Sequence, residues 1–145
     1  MKLFTKYHGE TEVEENKIIT FEKGLPGFGE ETSFTILPLA EEADLFILQS
    51  TQTPGLAFVI STPFSFFKEY DFTLDDATVE QLQLESTEQV QVFSILTVQD
   101  PFEKTTANLQ APIVISSVKR LAKQVILNHP DYKTKHPLFV TAKER

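Results

Sequence analysis

The chain has 145 residues and no cysteine, which excludes disulfide staples, cysteine-ligated zinc, iron–sulfur clusters and a thiol nucleophile. Its hydrophobic content is 41%, with 13 Phe, so it is expected to fold as one domain spanning 1–145. Thirteen basic residues stand against 21 acidic ones, a net charge of -8, which opposes direct nucleic-acid binding and favours a basic protein partner.

Turn signals recur every roughly 8–15 residues, the rhythm of an all-β fold. Strands are expected over 2–7, 10–14 and 17–21, broken by His8-Gly9 and Glu15-Asn16. Further strands are expected over 33–37, 45–50 and 56–60, which are rich in Phe, Ile, Leu and Val. Phe72 and Leu74 alternate with Asp71 and Thr73, the pattern of a strand with one wet face. Asp75-Asp76 can cap a short helix over 78–82, with Val79 and Leu82 sharing a face. A long strand over 89–98 follows, then Ile113-Val114-Ile115 and Val125-Ile126-Leu127, with a turn expected over 117–124. The fold class is therefore all-β: a compact barrel-like or sandwich domain of about ten short antiparallel strands with one or two short helices. The first seven residues lack the apolar region of a signal peptide, and no apolar run reaches the roughly 20 residues of a membrane span, so the cytoplasm is expected.

Catalysis needs groups held in mutual reach, and few are candidates here. His8, His129 and His136 fall on expected turns or the tail, without zinc spacing. The acidic pairs Glu14-Glu15, Glu30-Glu31, Glu41-Glu42 and Asp75-Asp76 read as solvated charge. The run Gly24-x-x-Gly27-x-Gly29 is not a phosphate loop, because Pro26 removes an N–H and no Lys follows in register. Instead Leu25-Pro26-Gly27-Phe28 reads as a type II turn, with Pro26 fixing φ and Gly27 supplying the positive φ. It either plugs one end of a barrel or forms a partner-binding loop. The aromatics Phe64, Phe66, Phe67, Tyr70 and Phe72 would divide between two faces of a strand, as core or as an exposed patch for a protein. No cofactor site is expected.

Several blocks occur in order along the chain. They are Thr5-Lys6-Tyr7-His8-Gly9, Phe21…Gly24-Leu25-Pro26-Gly27-Phe28 and Phe46-Ile47-Leu48-Gln49-Ser50. Pro63-Phe64…Tyr70, Asn108-Leu109-Gln110-Ala111-Pro112-Ile113-Val114-Ile115 and Gln124-Val125-Ile126-Leu127 complete the set. From Phe4 to about Phe139 the chain resembles the bacterial flagellar assembly factor FliW family. It departs from that family over Ser116-Ser117-Val118-Lys119-Arg120-Leu121-Ala122-Lys123, where a Gly is usual, so a longer turn is expected. The resemblance implies a non-enzymatic, cytoplasmic regulator that binds flagellin and also CsrA, a small basic protein that represses translation by gripping messenger RNA. Flagellin would occupy the protein until export, after which the freed protein antagonises CsrA and flagellin is translated again. On matching positions, the partner-binding residues are expected to be Leu25, Phe28, Phe64, Phe67, Tyr70 and Asn108. Nothing in the sequence demands a dimer.

Three other readings each need a specific feature. A small-ligand-binding β-barrel needs an open apolar cavity of a few hundred Å³. A carboxylate-dependent hydrolase needs Asp75, Asp76 or a Glu pair gathered in a cleft. A direct RNA binder needs Lys119, Arg120 and Lys123 aligned with exposed aromatics.

Overall fold

The computed structural model describes residues 2–25, 27–40, 44–127 and 129–137. Pro26, the Glu41-Glu42 pair, Phe139 and the basic tail residues Lys143 and Arg145 lie outside the described residues. The strands are β1 (Lys2–Thr5), β2 (Gly9–Glu12), β3 (Ile19–Thr20), β4 (Ser33–Ala40), β5 (Leu45–Ser50) and β6 (Ala57–Ser61). After the helix α1 (Asp76–Gln81) come β7 (Val90–Thr97), β8 (Thr106–Ala107), β9 (Ile113–Ser116), β10 (Ala122–Gln124) and β11 (His136–Pro137). The fold is mostly β, as the sequence predicts.

The strands β10-β9-β7-β6-β5-β4-β3 form one antiparallel sheet, in that order. A parallel bridge between Thr20 and Leu121 joins its two ends, with Thr20 N–H donating to Arg120 O at 2.9 Å. The sheet thus closes into a barrel, which removes the open edges a free sheet would present. Arg120 adopts φ 56° and its guanidinium donates to Lys17 O at 3.1 Å. The turn before β10 is thus made with a left-handed Arg that also ties down the seam.

One core draws on all seven barrel strands: Ile19, Phe34, Leu48, Ile60, Ile113, Ile115 and Ala122, with Phe93 and Ile95 packed against it. That convergence marks it as the barrel interior. Phe21 and Leu25 close one end, where Leu25 and Phe28 form a two-residue bridge and Gly27 takes φ 84°. A second core lies on the other face of the same strands, with Leu37, Leu45, Ile47, Val59, Leu96 and Val114. Leu3 and Val13, Tyr70, Leu82 and Leu127 cover it. Both faces of β5 are therefore buried, which fits its opening run of four apolar residues, Leu45 to Leu48, in place of alternation.

Three expected strands depart from the structure. Residues 71–75 are irregular, and Pro63 begins a short 3-10 turn at Pro63–Ser65. The chain leaves the sheet after Ser61, so Phe72 and Leu74 have no neighbouring strand to pair with. The strand expected at Val125–Leu127 is instead β10, three residues earlier. Pro112 has no N–H to offer, and Val125 and Leu127 donate to Pro112 O and Gln110 O outside a ladder. The third expected strand shrinks to Ile19–Thr20, preceded by a 3-10 turn at Glu15–Lys17.

Asp75 is the N-cap of α1, its Oδ1 accepting from Thr78 N–H at 2.8 Å. Thr78's side chain and N–H hold the Asp75 carboxyl below its usual range, with Lys123 adding a smaller pull. Asp75→Ala is expected to lower the denaturation midpoint modestly, and Asp75→Asn less, since an amide oxygen can still accept. The depressed pKa places the cap's contribution above the ordinary carboxylate range, to be lost as pH falls through the folded pKa. Urea melts of both variants at neutral and acidic pH check this.

Candidate functional site

Tyr70 organises the outer layer of the molecule. It is buried, and its hydroxyl donates to Leu109 O at 2.7 Å. Burial, and secondarily the Tyr132 phenol, push its pKa far above that of a free tyrosine, so it remains a donor. Its ring packs on Phe64 at 5.9 Å, Phe72 at 5.5 Å and Tyr132 at 4.7 Å between centroids. Tyr132 Oη in turn accepts from Asp71 N–H at 3.0 Å and donates to Asp71 O at 2.9 Å. His129 stacks on Tyr132, and Phe67 meets His136 edge to face at 5.9 Å. These contacts fix the 63–72 segment against the barrel with little regular structure of its own.

The six residues expected to bind partners do not form one patch. Leu25 and Tyr70 are buried, at 3% and 4% exposure. Asn108 Oδ1 accepts from Ala111 N–H at 3.0 Å and shapes the turn before β9. Phe28 is exposed beside Phe58, on the interior-core side. Phe64 is exposed and Phe67 half-buried, both on the outer layer.

Two surface grooves flank the 63–74 segment. One, of about 640 Å³, is lined by Phe67, Tyr70, His129, Tyr132 and His136 among others. The other, of about 580 Å³, lies between Phe64, Phe72 and Leu74, the helix residue Val79, and Val90 and Val92 of β7. Neither lies in the barrel interior, which side chains fill. Sequence reasoning missed the second groove because its lining comes from four separate segments. A signal was nonetheless present: residues 69–88 carry Glu69, Asp71, Asp75, Asp76, Glu80, Glu85 and Glu88 and no Lys or Arg, interleaved with apolar positions.

The residues weighed for chemistry are engaged separately. His8 Nε2 lies 2.9 Å from Pro38 O. Glu31 accepts from Ser50 Oγ at 2.6 Å and Thr53 Oγ1 at 2.7 Å, which holds its pKa below the usual range. Among the described residues, no three His, Asp or Glu side chains come together as a metal site would require. Arg120 of the Lys119-Arg120-Lys123 cluster is held at the barrel seam by its bond to Lys17 O. No helix among the described residues is long and apolar enough to cross a membrane.

Fold and surface define an acidic, closed β-barrel wrapped by a second apolar layer, with grooves open on its outside. The sequence profile of the FliW protein family matches residues 2–138. The chain is 57% identical over 139 residues to the flagellar assembly factor FliW of Geobacillus kaustophilus (strain HTA426), covering 96% of each. It is 49% identical over 138 residues to the flagellar assembly factor FliW of Bacillus subtilis (strain 168), covering 95% of this chain and 96% of that one. A crystal structure of the flagellar assembly factor FliW superposes with a TM-score of 0.93 at 54% identity, covering 98% of this chain and 99% of that one. This chain belongs to the FliW family.

Proposed function

We propose that this protein is a flagellar assembly factor that acts as one monomeric domain in the cytoplasm, by binding proteins and catalysing no reaction. The observation that carries the reading is membership of the FliW family over residues 2–138, with relatives named as flagellar assembly factors. Its partners are flagellin and the translational repressor CsrA. Flagellin occupies the protein until export; the freed protein then antagonises CsrA and lifts repression of flagellin messenger RNA. The net charge of -8 supports this, since an acidic surface steers a basic RNA-binding protein and, held beside it, repels RNA phosphates.

Purified protein is expected to capture both flagellin and CsrA, to lose CsrA when flagellin is added, and to release messenger RNA from CsrA. Binding to CsrA is expected to weaken as NaCl is raised, because exposed charges are screened beyond about 10 Å at 0.1 M salt. Failure to capture either protein would refute the reading. An affinity for CsrA indifferent to salt would remove its electrostatic part.

A further inference from the structure

We propose that the groove between the 63–74 segment, α1 and the first half of β7 seats a Lys- or Arg-bearing peptide segment with apolar anchor side chains, supplied by the basic partner. This rests on the reading that CsrA is that partner.

The groove exists because β6 departs. Ser61 is the last β6 residue paired with β7, opposite Ser94, and Pro63, with no N–H, turns the chain away. Among the described residues, Val90–Phe93 pair with β9 alone. Ser117 N–H donates to Gln89 O, so antiparallel alternation turns the main-chain groups of Gln91 and Phe93 toward β9. Those of Val90 and Val92 therefore face the side that β6 has left. An apolar cleft bordered by main-chain donors and acceptors suits a polypeptide, which supplies both side chains and main-chain partners.

The cleft is also preformed. Phe72, Leu74, Leu84 and Val90 are half-buried and lean on the outer core, so little ordering is needed on binding. Charge then selects the occupant. Asp71 and Glu85 line the groove, and all seven carboxylates of residues 69–88 are exposed. Lys123 approaches this run near Asp75, at the start of α1. An apolar centre with an acidic rim fits apolar anchors flanked by cations and rejects an acidic segment.

Two variants at exposed positions test this. The double variant Asp71→Lys/Glu85→Lys reverses the charges lining the groove and leaves the Asp71 main-chain bonds to Tyr132 intact. Thr73→Trp fills the groove from its rim. After circular dichroism confirms folding, affinities for purified CsrA and purified flagellin are measured by calorimetry at low and raised NaCl. Each variant is expected to bind CsrA about tenfold more weakly or worse, the double variant with a flattened salt dependence, and flagellin as before. Unchanged CsrA affinity in both variants, or a loss confined to flagellin, overturns the groove assignment while leaving the proposed function standing. Failure of the unmodified protein to bind CsrA overturns both.

Discussion

Gly24→Ala is expected to destabilise the protein by about 3 kcal/mol, through left-handed strain and a main-chain collision together. Gly24 takes φ +67°, and a Cβ built there would lie 2.6 Å from both Phe28 O and Gly29 O. Those oxygens belong to the turn whose Leu25–Phe28 bridge seats Leu25 in the barrel end, so they cannot retreat without unseating the plug. For a domain of this size the melting temperature should fall by roughly 6–12 °C. Gly9 is the internal control. It has φ +62° with nothing within 4 Å of its Cβ, so Gly9→Ala meets only the backbone strain. About 1 kcal/mol is expected there, or roughly 2–4 °C. Thermal melts of the two variants followed by far-ultraviolet circular dichroism separate the terms. Equal melting points would show that the close approach at Gly24 costs nothing.

Local signals in this sequence are strong where one strand or cap suffices. The run Leu45–Ser50 marks β5 at its observed bounds, and Asp75 marks the start of α1. The type II turn expectation finds its positive φ at Gly27. What is not legible depends on which face finds a neighbour. The alternation around Phe72 and Leu74 has strand period, yet among the described residues the segment joins no sheet, because Pro63 has already diverted the chain. Strands β8 and β11 have two residues each, too short for periodicity to register. Two cores on opposite faces of one sheet also bury more aromatic and aliphatic side chains than a single core would. Of the two roles open to the aromatic cluster, covering a core is the one Tyr70, Phe66, Phe67 and Phe72 take, on the second core. The groove was invisible as well. Val79 and Val92 lie 13 positions apart in sequence, in a helix and a strand that border one groove where β6 and β7 part after Ser61 and Ser94.

Tyr70→Ala is expected to be the most damaging single aromatic truncation, costing about 3–5 kcal/mol and lowering the melting temperature by roughly 6–20 °C. The ring supports Phe64, Phe72 and Tyr132 at once, so the void it leaves cannot be filled by any one of them moving. Tyr70→Phe isolates the hydroxyl. It keeps the packing but leaves Leu109 O without its donor, a loss of about 1–3 kcal/mol. Because the phenol remains protonated well beyond neutral pH, the difference between wild type and Tyr70→Phe should not change across the neutral range. Binding distinguishes support from contact. If Tyr70 acts by holding the 63–72 segment, Tyr70→Phe should bind both partners with wild-type affinity while melting earlier. Tyr70→Ala should then lose affinity even at temperatures where it is fully folded, since Phe64 and Phe72 lose the ring that positions them. A Tyr70→Ala protein that melts like wild type would remove Tyr70 from its place as organiser of the outer layer. A Tyr70→Phe protein that folds fully but fails to bind would make the hydroxyl a contact, against its 4% exposure.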